Sequence, residues 1–237
     1  MKLRSMMFVG AAALATAALA TDALTDTKTL GWMRVDSTLP ITAVGVPWTD
    51  VGNPANNVKV ADLVKTDNLT AGDNLYVYNN GTWTFYTLSS GAWVAGTTAN
   101  SSITATAGNP SEATIARGQA LYLERQNPTT PGYFYVYGAD GSEITSTTLS
   151  GAKKYLVASP KATAFIPQAS KISGASNKDV IQVPLTGGTS RIYQYFTTKS
   201  KWRCNGKWEG ETGYEEIPLG TGFWYIAAST SAITVTW

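Results

Sequence analysis

Short runs of residues that favour β-strands alternate with turn-forming clusters along almost the whole chain. The runs are rich in Thr, Val, Ile, Tyr and Trp, and the clusters between them contain Gly, Asn, Pro and Ser. This spacing is typical of many short strands joined by tight turns, and it predicts an all-β fold class. One short helical turn is predicted at residues 60–65. The predicted strands are residues 30–36, 41–46, 74–78, 82–88, 119–124, 133–137, 154–158, 163–166, 191–196, 201–203, 222–227 and 232–237.

The strongest organisational feature is an internal repeat of aromatic residues and glycines. Residues 75–78 (LYVY) match residues 192–195 (IYQY), and two tryptophans follow each run. Residues 115–123 (IARGQALYL) match residues 217–225 (IPLGTGFWY), which aligns Gly118 with Gly220. Towards the two ends, Trp32 is aligned with Tyr155 and Tyr137 with Trp237. The repeat predicts two similar sandwich- or barrel-like units from an internal duplication.

The alignment also predicts the boundaries of the two copies. Residues 21–138 form the first copy, residues 139–152 a connector and residues 153–237 the second copy. The first copy is longer because it contains a polar insertion at residues 97–111 (TTANSSITATAGNPS). Such an insertion is either a functional loop on a rigid scaffold or a tolerated surface extension, for example an extra hairpin.

The first twenty residues have the features of a secretory signal peptide. Lys2 and Arg4 precede an uncharged stretch, and Ala18-Leu19-Ala20 is a small-x-small cleavage site. The stretch is shorter than the roughly 20 apolar residues of a transmembrane helix, and no later segment is apolar for long enough. We therefore expect an exported chain that begins at Thr21, has no transmembrane segment, and is located outside the cell, on its surface or in the periplasm.

The charge balance argues against a nucleic-acid partner. The chain has 18 Lys and Arg residues against 16 Asp and Glu residues, and Lys2 and Arg4 account for the whole excess. Nucleic-acid binding depends on a basic surface, and no run of Lys or Arg is present.

Several catalytic chemistries are excluded by residue counts alone. The chain contains no histidine and one cysteine, Cys204. Ser-His-Asp catalysis, Cys-His catalysis and thiolate metal clusters are therefore absent, and no phosphate-binding or dinucleotide-binding motif appears. We predict no metal site and no cofactor. Cys204 is either a small buried apolar residue or, because Arg203 and Lys207 flank it, a reactive thiol with a lowered pKa.

An acidic cluster is the one remaining catalytic hypothesis. Glu209, Glu211, Glu215 and Glu216 lie close together in the sequence, and glycoside hydrolysis needs only two facing carboxyl groups. The same residues could supply oxygen ligands to calcium, or they could form a solvated loop. A histidine-free glycosidase-like hydrolase is therefore kept as a further alternative function, although the sequence favours no enzymatic activity.

Aromatic residues in the two copies provide the candidate binding site. Trp83, Tyr86 and Trp93 in the first copy recur in outline as Trp202 and Trp208 in the second. Exposed flat rings stack on sugars, so these five residues are candidates for a carbohydrate-binding surface. The alternative is that these large rings form the core of each unit, since each would bury a large apolar area.

The order of these motifs resembles a set of uncharacterised exported proteins of gram-negative bacteria. Those proteins carry a β-unit with tyrosine and tryptophan followed by Gly-x-Gly-Phe-Trp, often duplicated, and residues 220–224 (GTGFW) match that element. The first copy departs from it at residues 118–122 (GQALY). The resemblance implies a secreted sandwich-like module and no known activity. We expect a non-catalytic module with a structural, adhesive or assembly role, or a carbohydrate-binding module, with polysaccharide or surface proteins as partners.

Overall fold

The fold is built almost entirely from β-strands. The computed structural model describes residues 30–37, 39–50, 57–79, 81–139, 144–150, 154–161, 163–185 and 189–237. Strands make up 48% of the described residues and helix 2%, which confirms the all-β prediction. Among the described residues, no helix is long and apolar enough to cross a membrane. The expected signal peptide at residues 1–20 lies outside the described residues.

The described residues of the first unit form eleven strands and one helical turn. Its elements are β1 (Leu30–Asp36), β2 (Ile41–Gly45), β3 (Val58–Lys59), α1 (Val60–Leu63), β4 (Val64–Lys65), β5 (Asn74–Asn79), β6 (Thr82–Ser89), β7 (Ala92–Ala95), β8 (Ala105–Ala107), β9 (Thr114–Ile115), β10 (Ala120–Glu124) and β11 (Tyr133–Ala139). A small sheet has the order β1-β11-β4, and a larger one has the order β2-β10-β5-β6-β7. Strand β8 pairs with β6 in parallel, and β3 pairs with β9.

In the second unit, nine strands are found in the part of the chain that the structure describes. They are β12 (Ser146–Leu149), β13 (Lys154–Val157), β14 (Ile172–Ser173), β15 (Val180–Pro184), β16 (Ser190–Phe196), β17 (Lys201–Cys204), β18 (Lys207–Trp208), β19 (Phe223–Ile226) and β20 (Ile233–Thr236). Its small sheet has the order β12-β20-β14, and its larger sheet has the order β13-β19-β15-β16-β17-β18.

Each unit is a sandwich with its own apolar core. In the first unit, Met33 and Val136 of the small sheet pack in one cluster with Leu75 and Leu121 of the larger sheet. The second unit repeats this arrangement with a separate cluster, in which Val235 lies on the small sheet. Side chains alternate between the core and the opposite face along these strands, which is why the period-two sequence pattern predicted them.

The two units have the same order of strands in both sheets. Strands β1, β11 and β4 correspond in position to β12, β20 and β14, and β2, β10, β5, β6 and β7 correspond to β13, β19, β15, β16 and β17. Gly118 and Gly220 occupy equivalent places, since each has a positive φ and precedes a central strand.

The alignment of residues 75–78 with residues 192–195 is displaced by one strand. Residues 192–195 lie in β16, which corresponds in position to β6, whereas residues 75–78 lie in β5, which corresponds to β15. Trp32 and Tyr155 likewise lie on non-equivalent strands, β1 and β13. The predicted connector, residues 139–152, contains β12, so the second small sheet begins before residue 153. Descent of both units from one duplicated sequence stays a prediction.

The units meet across an approximate two-fold axis. The amide N of Gly45 donates a hydrogen bond of 2.7 Å to the carbonyl of Gly220, and Ala158 donates one of 2.8 Å to Gly118. Exchanging the units exchanges these two bonds, as in a symmetric dimer interface. Space at the interface is minimal, because a Cβ atom placed on Gly222 would lie 2.7 Å from the Cβ of Ala120.

We expect Gly222→Ala to lower the free energy of unfolding by about 2 kcal/mol, because its methyl group would overlap that of Ala120. Ala120→Gly removes the opposing methyl group, so the double variant A120G/G222A should regain most of the lost stability. Urea unfolding of the wild type, both single variants and the double variant measures this coupling. Equal stability of G222A and the double variant would contradict the proposed contact.

Candidate functional site

Three of the five predicted aromatic site residues lie in the cores. Tyr86 and Trp93 belong to the core of the first unit, and Trp202 is completely buried in the core of the second. Their ring faces are covered by protein, so they cannot form a sugar-binding surface. The core interpretation of these residues is therefore the one that agrees with the structure.

The other two predicted residues are half-buried and far apart in the fold. Trp83 stacks on Tyr122, with ring centroids 5.0 Å apart, in a cluster between the units. Trp208 lies on the last strand of the second large sheet, where it packs edge-on against Phe196 and beneath the guanidinium of Arg203. The five residues thus belong to separate parts of the structure.

The acidic residues near the end of the second unit hold their own loop together. The carboxylate of Glu209 accepts hydrogen bonds from the amide N atoms of Ala169 and Trp202, at 2.9 and 3.0 Å. Glu215 forms an ion pair with Arg191. Within the described part of the chain, no group of three or more acidic, histidine or cysteine residues could hold a metal ion.

Cys204 is a core residue. Its side chain belongs to the apolar cluster of the second unit, and burial together with the nearby Glu215 raises the pKa of the thiol. The partly compensating cation is Arg191, on the neighbouring strand β16. The flanking Arg203 and Lys207 are exposed and do not activate the thiol.

The polar insertion covers one face of the first large sheet. Part of it forms β8, which pairs with β6, and Asn100 donates to the buried carboxylate of Glu124. The same carboxylate accepts hydrogen bonds from Asn74 at 3.0 Å and from the hydroxyl of Tyr76 at 2.8 Å. Burial and the neighbouring Glu124 raise the pKa of Tyr76 to about 12, so its hydroxyl stays a donor at neutral pH.

A different set of aromatic residues is exposed on the small sheet of the first unit. Trp32 has 68% of its surface accessible, more than any other large hydrophobic side chain among the described residues. Across the β1–β11 pair, Trp32 is opposite Tyr137, Arg34 is opposite Tyr135, and Asp36 is opposite Tyr133. The three tyrosines are half-buried. We call Trp32, Tyr133, Tyr135 and Tyr137 the aromatic platform.

The alternation of residues in two strands creates this platform. In β1, Met33 points into the core and Trp32 points away from it; in β11, Phe134 and Val136 are buried between the three tyrosines. The two strands form a seven-residue antiparallel pair, so the rings are mounted on regular sheet. Sheets hold side chains more rigidly than loops do, which favours preorganised contacts.

The rings of the platform are tilted relative to one another. Trp32 and Tyr135 have centroids 5.4 Å apart and an angle of 83° between their planes. Tyr133 and Tyr135 are 5.7 Å apart at 71°. The guanidinium of Arg34 lies 4.2 Å from the centroid of Tyr133, and its Nε donates to Asp36 at 2.9 Å.

A shallow depression lies at one end of the platform. Its volume is about 310 Å³, and its lining consists of Trp32, Asp67, Tyr135 and Tyr137. Three aromatic rings and one carboxylate therefore border a single open recess. Such a site offers apolar faces for stacking and an acceptor for hydroxyl groups.

The equivalent face of the second unit has no such rings among its described residues. Its outward positions carry small hydroxyl-bearing side chains, and the core positions between them are Leu149, Ile233 and Val235. The outward residues are Ser146, Thr148, Thr234 and Thr236. The aromatic platform is thus a feature that distinguishes the two units.

The chain matches no protein-family model, no curated protein and no solved structure.

Proposed function

We propose that the protein is an exported, non-catalytic β-module that adheres to a polysaccharide through the aromatic platform. The observation that carries this proposal is the exposure of Trp32 beside three half-exposed tyrosines on one face of a strand pair. Exposed apolar residues that are scattered singly are common, but contiguous patches of them mark binding sites. Here four rings occupy one face.

Ring chemistry favours a sugar as the ligand. One face of a pyranose ring is lined with C–H groups and packs against an aromatic face, while its hydroxyl groups need donors and acceptors at the margin. The platform supplies both. Asp67 borders the recess formed by Trp32, Tyr135 and Tyr137, while the guanidinium of Arg34 lies over the ring of Tyr133 and pairs with Asp36.

The repeated strand order supports a related proposal, that the two units descend from one duplicated sequence. Both sheets of each unit have the same order, and the two interface hydrogen bonds are exchanged by the approximate two-fold axis. Loss of aromatic residues from the second unit, or their gain in the first, would then explain why, among the described residues, only the first unit carries the platform.

We expect Trp32→Ala to weaken polysaccharide binding by at least about tenfold, equivalent to ~1.4 kcal/mol, since exposed aromatic anchors dominate such contacts. Ile192→Ala is the matched control, because Ile192 is 42% exposed and lies on the other unit. Both variants should retain the wild-type thermal midpoint. A panel of purified polysaccharides, read by affinity electrophoresis and tryptophan fluorescence, measures binding.

Three outcomes would contradict the proposal. One is a panel that shows no binding by the wild type. The other is binding that W32A leaves unchanged while Trp208→Ala abolishes it, which would place the sugar at Trp208. Retention of an unrelated protein by the platform, without retention of sugars, would also count against it, because Trp, Tyr and Arg are enriched at protein interfaces as well.

A further inference from the structure

The relative tilt of the platform rings determines which physical form of a polysaccharide can fit. We infer that the platform binds a single, conformationally free glycan chain and does not bind the flat face of a crystalline polysaccharide. This inference rests on the proposed function and specifies its ligand class.

A crystalline surface presents many sugar rings in one plane. Binding such a surface requires aromatic rings that are coplanar with one another. The platform departs from this requirement at both measured ring pairs, since the planes of Trp32 and Tyr135 meet at 83° and those of Tyr133 and Tyr135 at 71°. Tyr135 therefore cannot lie flat on a planar surface together with Trp32 or with Tyr133, so these three neighbouring rings do not form a coplanar set.

A free chain can adapt to tilted rings. Rotation about glycosidic bonds lets successive sugars turn, so that one sugar stacks on Trp32 while its neighbour contacts Tyr135 at a different angle. Nearly perpendicular rings form a corner, and a corner contacts a sugar on two sides. The ordering of a flexible chain costs conformational entropy, so the expected affinity is moderate.

The depression adds a second contact for a glycan chain. It is a shallow, open recess of about 310 Å³ bordered by Trp32, Tyr135, Tyr137 and Asp67. A free chain can place one sugar against these rings and the carboxylate together. The carboxylate of Asp67 would then accept hydrogen bonds from sugar hydroxyl groups.

The second unit limits the number of sites. Its equivalent small sheet presents Ser146, Thr148, Thr234 and Thr236 on the outward face. Hydroxyl-bearing side chains of this size provide no stacking surface. Each chain is therefore expected to bind one glycan segment, despite the repeated strand order.

The test compares soluble and crystalline polymers with the full exported chain. Hydroxyethylcellulose, glucomannan and laminarin are the soluble probes in affinity electrophoresis, and microcrystalline cellulose and crystalline chitin are the insoluble probes in depletion assays. We expect retardation by at least one soluble polymer, one site per chain in calorimetry with its oligosaccharide, and no depletion by either crystalline polymer. Trp32→Ala should abolish the retardation, and Asp67→Ala should weaken it by about threefold or more.

The outcomes separate this inference from the proposed function. Depletion by a crystalline polymer that W32A prevents would overturn the inference and leave carbohydrate adhesion in place. Two equivalent sites per chain would overturn the single-site part. Absence of binding to all soluble and crystalline probes, with the wild type correctly folded by circular dichroism, would overturn both. Loss of binding in Ile192→Ala, equal to that in W32A, would contradict the location of the site.

Discussion

Replacing Asp179 with alanine is expected to lower the free energy of unfolding by about 4 kcal/mol. Asp179 is completely buried, and its carboxylate accepts three hydrogen bonds. The donors are the hydroxyl of Tyr225 at 2.7 Å and the amide N atoms of Ala228 and Ser176, at 2.7 and 2.9 Å. Removing the acceptor leaves the buried hydroxyl of Tyr225 without a partner and takes away the acceptor of two partly buried amide N–H groups.

The hydroxyl of Tyr225 is a permanent donor in this arrangement. Burial, and secondarily its hydrogen bond to Asp179, raise the pKa of Tyr225 far above the ordinary value. The Tyr225 hydroxyl therefore stays protonated at neutral pH and still needs an acceptor when the Asp179 carboxylate is removed. Because three segments converge on Asp179, its removal also loosens the loop before β15 and the end of β19.

Urea unfolding at neutral pH, followed by far-ultraviolet circular dichroism, measures the effect. Asp179→Asn is the informative companion variant, since an amide keeps one oxygen acceptor and should lose less stability than alanine. Glu112→Ala is the matched control at an exposed carboxylate, with an expected change within about 0.5 kcal/mol. A loss below about 1 kcal/mol in D179A would mean that water replaces the carboxylate, contrary to our expectation.

The same hydrogen-bond arrangement occurs in the first unit around Asp73. Its carboxylate accepts from the amide N atoms of Thr70 and Gln126, at 2.9 and 2.7 Å. An additional buried cation, Arg125, lies 3.9 Å from this carboxylate and donates to the carbonyl oxygens of Pro131 and Asn68. Burial lowers the pKa of Arg125, and Asp73 opposes that shift. In each unit, therefore, one buried aspartate directly precedes a strand of the large sheet and accepts hydrogen bonds from two backbone amides.

Strand positions were readable from the sequence because local pattern and propensity agreed. The predicted strand at residues 30–36 matches β1, and the predicted helical turn at residues 60–65 contains α1. The missed strand β15 had a larger consequence, because its short sequence VIQVP ends in Pro184, a residue that is rare within sheets. Because β15 was not predicted, the alignment paired residues 75–78 of β5 with residues 192–195 of β16. The true counterpart of β5 is β15, one strand earlier.

The binding site was harder to predict because aromatic residue types do not reveal which face they occupy. In β17, Trp202 is flanked by the exposed Lys201 and Arg203, so alternation points it into the core. In β1, alternation with the buried Met33 points Trp32 outwards. The alternation of exposed and buried positions could therefore be predicted from the sequence. The pairing of β1 with β11 could not, because it joins segments about a hundred residues apart and depends on the whole fold.

Trp224→Ala is expected to lower the free energy of unfolding by about 4 kcal/mol and to uncouple the two units. Trp224 is 8% exposed and belongs to β19 of the second unit, but its contacts cross to the first. Its Nε1 donates a hydrogen bond of 2.6 Å to the hydroxyl of Tyr122, and its ring centroid lies 4.9 Å from that of Tyr78 and 5.9 Å from that of Trp83.

The loss of this ring removes most of the aromatic contact between two sandwiches that have separate cores. Calorimetry of W224A should therefore show two overlapping transitions where the wild type shows one, since each core would then unfold independently. Trp224→Phe retains a ring and loses the hydrogen bond, so it separates packing from the bond to Tyr122. Trp208→Ala, at the far edge of the same sheet, is the matched tryptophan control and should leave a single transition. If W224A also unfolds in one transition at an unchanged midpoint, the remaining interface contacts, among them the hydrogen bonds of Gly45 and Ala158, are sufficient to couple the units.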